Sequence, residues 1–195
     1  MIDNPTKFAD KFKLKSSRLQ NWDYSTPGYY FVTICTYYHN NFFGKIINEK
    51  MELSKMGEIT KSELLKTFEI RKNIKLHEWV IMPNHVHILM EIKKQNNQLN
   101  KCRDVENKCR DVLQNVSTES KKFSIISPQS NSVSNIIKQF KSAVTRQINP
   151  KTIFFAWQPR FHDQVVKNEK ELLIVKNYII NNPINWQKDK FYKLK

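Results

Sequence analysis

The chain has 195 residues, 39% of them hydrophobic, and carries 33 Lys plus Arg against 18 Asp plus Glu, a formal net charge of +15 with a pI near 9.7. That size supports one domain with a sizeable core, while the lack of any run of about 18 apolar residues excludes a membrane-spanning helix. Met1-Ile2-Asp3-Asn4-Pro5 lacks the layout of a signal peptide, and three cysteines (Cys35, Cys102, Cys109) without zinc-site spacing exclude a disulfide framework. The expectation is a cytoplasmic protein.

The basic excess predicts a polyanionic partner bound through counterion release. Only six of the basic residues are Arg, and Lys favours diffuse phosphate contact over bidentate reading of bases. A lysine-rich composition with solubility as its only consequence is the ordinary alternative. Lys13, Lys15 and Arg18 open the chain with a basic cluster, and Trp22, Tyr24, Tyr29 and Tyr30 follow as aromatics that stack bases or pack on a sheet.

In chain order, a strand is expected near 28–38, a hairpin return near 42–47 and a helix near 54–71. Residues 75–92 read as two apolar runs broken at Pro83-Asn84, a turn signal, and so as a hairpin. In its second strand Val86, Ile88, Met90 and Ile92 share one face, expected in the core. His85, His87, Leu89 and Glu91 share the other, expected to look outward into a cleft. Residues 95–130 are rich in Asn, Gln, Ser and charge, and repeat Lys101-Cys102-Arg103-Asp104-Val105 at Lys108-Cys109-Arg110-Asp111-Val112. Two copies are too few for a solenoid. A flexible insertion in the single domain 1–195 is expected there, with a short helix as the rival reading.

A helix near 133–148 carries Lys138, Lys141 and Arg146, and a strand near 160–166 carries Arg160 and His162. With Lys13, Lys15 and Arg18, all five are candidates for contact with a nucleic acid. The last helix starts at Asn168-Glu169-Lys170-Glu171, which resembles a capping box. Leu172, Val175 and Ile179 form its buried stripe, supported by Leu173 and Ile180. Pro183 ends it at or near Asn182. This order predicts an α+β fold: a ferredoxin-like antiparallel sheet of four strands with helices packed on one face.

Two features carry chemistry. His85 and His87 stand at i and i+2 of a strand, so both imidazoles project from one face and can share a metal ion. Tyr178 and Asn182 stand one helical turn apart, so a nucleophile and a ligand can face one site. Each has an ordinary reading: imidazoles satisfied by neighbours, a tyrosine at the core edge, an asparagine cap. His77 and His162 are further candidates for the site, read as structural or phosphate-contacting rather than as ligands.

The string Trp79-Val80-Ile81-Met82-Pro83-Asn84-His85-Val86-His87, followed by Tyr178-Ile179-Ile180-Asn181-Asn182-Pro183, resembles the HUH-type single-tyrosine transposases, specifically the REP-associated tyrosine transposases. Gly28–Thr36 resembles their first strand, Phe42–Ile46 the hairpin return and Ile136–Ser142 the middle helix. The likeness covers most of 14–190 and leaves 95–130 unmatched. It implies the same fold, Tyr178 as nucleophile, and His85, His87 and Asn182 as ligands of Mg2+ or Mn2+. The implied activity is cleavage of single-stranded or hairpin DNA at hairpin-forming repeats, with strand transfer through a 5′-phosphotyrosine, by a monomer or homodimer. Gln164 stands where many members carry a further histidine; Asp163 remains as a further metal or nucleophile-orienting group. An HUH nickase for replication or conjugation and a non-catalytic nucleic-acid-binding regulator are the alternatives.

Overall fold

The computed structural model describes residues 22–94, 132–149 and 154–192. Alternating burial organises these residues. β1 (Gly28–Cys35), β4 (Ile74–Met82), β5 (His85–Ile92) and β6 (His162–Val166) form one antiparallel sheet in the order β4-β5-β1-β6. Tyr30, Val32 and Ile34 from β1 and Val86, Ile88, Met90 and Ile92 from β5 face one side. There they meet Leu64 and Phe68 of α1 (Lys55–Glu69) and Ile136, Ile137, Phe140, Val144 and Ile148 of α2 (Val133–Ile148), the main core.

The α+β fold expected from the sequence is therefore observed, with α1 and α2 on one face. The third helix, α3 (Glu169–Ile180), instead crosses the opposite face. Beneath it lies a second, smaller core of Leu89, Val166, Val175 and Ile179, flanked by Tyr29, Phe31, Val80 and Leu172. Neighbouring residues of β6 thus serve different cores, Val165 the large one and Val166 the small one, as strand alternation requires. The second face of β5 does not look out into a cleft: His85 and His87 are 0% and 1% exposed, because α3 and the residues after it roof that side.

The expected element boundaries hold closely for the 75–92 hairpin and for α2, and β1 stops earlier than expected, at Cys35. The stretch near 42–47 corrects the sequence reading. It does not return along β1, whose two neighbours are β5 and β6. Tyr38 and His39 take left-handed backbone angles (φ 51° and 54°), turning the chain away. β2 (Gly44–Ile47) then pairs with β3 (Lys50–Leu53) as a separate two-stranded sheet, joined by Asn48 and Glu49, both at positive φ, the signature of a tight hairpin turn. Gly44 is needed here, since a Cβ would sit 2.0 Å from the Glu52 carbonyl oxygen.

Side-chain caps start all three helices. Ser54 Oγ accepts from Gly57 N at 3.1 Å, and Ser132 Oγ accepts from Asn135 N at 3.4 Å. At α3, Asn168 Oδ1 accepts from Glu171 N at 2.9 Å, while Glu171 reaches back to Lys167 N rather than to the capping residue's own amide. Val175 and Ile179 are buried as expected, but Leu173 and Ile180 are 61% and 58% exposed. Each sits about 100° around the helix from a stripe residue, which turns it off the sheet. Among the described residues, no helix is long and apolar enough to cross a membrane. The predicted 95–130 insertion lies outside them.

Candidate active site

The hairpin turn at Pro83-Asn84 delivers His85 and His87 to the sheet face beneath α3. Their rings are held from behind by hydrogen bonds that decide which nitrogen carries a proton. The Asn84 amide nitrogen donates to the carbonyls of Phe191 (2.8 Å) and His39 (3.2 Å). Its Oδ1 is thereby turned to His85 Nδ1, 2.9 Å away. A carbonyl oxygen only accepts, so His85 Nδ1 bears the proton and Nε2 presents a lone pair.

His87 is arranged similarly. It pairs directly across the sheet with Thr33, whose Oγ1 lies 2.8 Å from His87 Nδ1. The two Nε2 atoms then face each other at 3.0 Å. That gap takes either one proton, carried by His87 with Thr33 donating, or a cation shared by two lone pairs. Burial, followed by the neighbouring His39 and Lys190, pushes His85 down to about 3. Burial and then His85 hold His87 well below its ordinary value. Both imidazoles are neutral at physiological pH, as metal ligation requires.

Asn182 is the third ligand that the resemblance implies. It lies just past the end of α3, is 2% exposed, and its Oδ1 is buried with no hydrogen-bond partner. An orphaned buried acceptor costs about 1–3 kcal/mol, and a bound cation is one group that would satisfy it. The donor set thus fits a divalent ion. Asp189, in the turn that follows a short 3-10 helix at Trp186–Lys188, also enters the site. Its Oδ2 is 3.3 Å from Asn182 Nδ2 and 3.5 Å from the Tyr178 hydroxyl. Donor atoms of His85, His87 and Asp189 all lie within 4.8 Å of one another, close enough to hold one ion. The sequence reading missed Asp189. The available signal was its isolation, as the one acidic residue after Glu171.

Tyr178 lies on the outer side of this cluster, 41% exposed, with its hydroxyl 3.3 Å from His87 Nε2. The ring stands edge-on to His87 and Phe31, at 5.1 and 6.0 Å between centroids. Burial, then the Asp189 carboxylate, raises the phenol above its ordinary value of 10, while a hydrogen bond from Asn182 opposes them. At rest the phenol is therefore protonated. A groove of about 640 Å3 beside it is lined by Asn177, Tyr178, Asn181, Lys188, Asp189 and Lys190.

The structure distributes the other expected contact residues widely. His162 pairs with Thr33 and shares the His87 face of the sheet; it is exposed and lines a cavity of about 430 Å3 with Thr33, Gln164 and Lys190. Asp163 pairs with Val32, a residue of the large core, so alternation turns it away from the histidines. Lys138 and Arg146 line a groove between α1 and α2 on the far face, with Lys66 and Arg71. Lys141 does not point to solvent: its ammonium donates to the Gln158 carbonyl, and burial lowers it to about 8. Arg160 is exposed; Lys13, Lys15 and Arg18 lie outside the described residues. His77 is structural, 2.8 Å from Glu91. Of the four aromatics, Tyr30 is fully buried and Trp22 keeps an exposed face.

Comparison with known proteins bears on the fold. No family profile matches the chain. A protein of Haemophilus influenzae described as uncharacterized is 32% identical over 182 residues, spanning 91% of this chain and 92% of that one. Among solved structures, a REP-associated tyrosine transposase bound to a REP hairpin matches 89% of this chain and 76% of its own, at 15% identity and a TM-score of 0.55. That likeness establishes the fold. The chain belongs to one family with the H. influenzae protein, built on the fold of the REP-associated tyrosine transposase.

Proposed function

We propose that this protein is a metal-dependent endonuclease and strand transferase for single-stranded DNA, working through a 5′-phosphotyrosine on Tyr178. The observation that carries the reading is the Tyr178 hydroxyl 3.3 Å from His87 Nε2, beside a second facing imidazole and the orphaned Asn182 Oδ1. A phenol and two imidazole nitrogens meet around His87 Nε2, next to Asn182, which hydrogen-bonds the phenol and carries a buried amide oxygen without a partner, an arrangement that a purely structural site does not require. The solved neighbour with this fold is bound to a REP hairpin, which supports hairpin-forming repeats as the substrate.

His85, His87 and Asn182 would hold Mg2+ or Mn2+. Once bound, the cation supplies Lewis-acid polarisation of the scissile phosphate and offsets the field of Asp189 at the phenol. Tyr178 is positioned by its helix and by its edge-on packing against Phe31 and His87. Its oxygen attacks phosphorus as the proton leaves to solvent on the exposed side, and the bond to the 3′ oxygen breaks. The 5′ phosphate stays on the tyrosine, and the departing 3′ oxygen takes a proton from solvent and leaves as a 3′-hydroxyl. A second 3′-hydroxyl reverses the step, joining a new strand and restoring the phenol without ATP. Lys188 and Lys190 on the groove attract the backbone.

The deciding experiment incubates wild type and Tyr178→Phe with labelled single-stranded DNA carrying the hairpin repeats that flank the gene, with Mg2+ or Mn2+, and resolves the products on a denaturing gel. The expected result is a metal-dependent covalent adduct in wild type alone. Tight binding without an adduct would replace this reading with that of a non-catalytic regulator.

A further inference from the structure

The segment 186–192 is fastened to the histidine pair from several directions. Asn84 Nδ2 donates to the Phe191 carbonyl at 2.8 Å, the Phe191 ring packs 4.8 Å from His85 and stacks on His39 at 5.3 Å, and Trp186 lies 6.0 Å from His85. Within this segment Asp189 is turned inward. Its Oδ1 accepts from Phe191 N at 2.7 Å and its Oδ2 approaches Asn182 and Tyr178. The remaining donors are two neutral imidazoles and a neutral amide. Divalent Mg2+ and Mn2+ are hard cations that favour anionic oxygen, and among the described residues Asp189 is the carboxylate grouped with the two histidines.

Resting on the metal reading of the site given above, we propose that Asp189 is a fourth protein ligand, and that ion binding thereby fastens residues 186–192 against the histidine pair beside Tyr178. Two imidazoles, an amide oxygen and a carboxylate leave two positions of an octahedron for phosphate oxygens or water. The same residue links metal occupancy to closure: the ion draws Asp189 in, Asp189 carries Phe191, and Phe191 holds Asn84, which orients His85. Metal affinity and order in the segment are then reciprocal, each raising the other.

A carboxylate that merely stabilised the turn would act only through its bond from Phe191 N. Asp189→Asn keeps an acceptor oxygen for that bond and removes the charge. The test is calorimetric titration of the full chain with MnCl2, for wild type and Asp189→Asn, with amide hydrogen exchange of 186–192 measured with and without Mn2+. Wild type is expected to bind Mn2+ with slowed exchange across the segment, and the variant to bind at least about tenfold more weakly without that protection. An unchanged titration in Asp189→Asn overturns the assignment. So does wild-type exchange indifferent to Mn2+, a readout that holds even if the variant fails to fold. Mn2+ binding through Asp189 with no DNA adduct keeps the assignment and sinks the strand-transfer reading. A metal-dependent adduct with an undisturbed variant titration does the reverse, and a wild type that binds no Mn2+ overturns both.

Discussion

Asn84 Oδ1 sits 2.9 Å from His85 Nδ1 while the same amide's nitrogen is held by the Phe191 carbonyl. One side chain therefore sets the tautomer of a candidate metal ligand and anchors the segment that covers it. Asn84→Ala should leave a buried carbonyl and a ring N–H without partners, a cost of about 1–3 kcal/mol for each such group. Mn2+ affinity should also fall about 10–100-fold. Denaturant unfolding and calorimetry on the same preparation would check both.

The histidines make stability pH-dependent. His85 falls from an ordinary 6.5 to about 3 on folding, chiefly through burial, and His87 shifts the same way. The unfolded chain thus binds more protons near these groups, and stability rises with pH wherever that holds. The contribution is fully present above about 6.5 and drains away as the pH falls from there towards 3. The unfolding midpoint of the metal-free protein should be flat around neutrality and decline below pH 6.5. A midpoint unchanged between pH 7 and 5 would contradict the buried neutral pair.

Lys188 and Lys190 line the groove beside Tyr178. Replacing both with Ala should weaken single-stranded DNA binding similarly for every sequence. The slope of log affinity against log salt should become shallower by up to about 0.7 for each phosphate that these lysines neutralise. Fluorescence anisotropy across a salt series reads this directly; an unaltered slope would remove the groove from the DNA path.

Leu89 is fully buried at the centre of the small core beneath α3, with Val166, Val175 and Ile179 around it. Leu89→Ala is expected to cost about 2–5 kcal/mol and to loosen α3, moving Tyr178 off the histidines. Hydrogen exchange should rise in α3 more than in α2, which packs on the other face.

Much of this architecture is legible because it rests on local rules. The apolar alternation of β5, the Pro83-Asn84 turn and the Asn168 cap each depend on residues within a few positions of one another. Even the pairing of His85 with His87 follows from strand geometry alone. The 42–47 segment escapes such rules because its partner is selected by left-handed angles at Tyr38 and His39 and by the occupation of both edges of β1. Neither feature has a periodic trace.

The sequence by itself determined the α+β order, the face on which the histidines stand and the one-turn spacing of Tyr178 and Asn182, since these follow from backbone periodicities of two and 3.6 residues. Tertiary structure decided that α3 lies across the face opposite α1 and α2, that the imidazoles are buried and neutral, and that Asp189 meets a strand about a hundred residues earlier in the chain. Those outcomes depend on which apolar surfaces cover one another and on desolvation once they do. Packing of distant segments creates both, and no spacing along the chain records them.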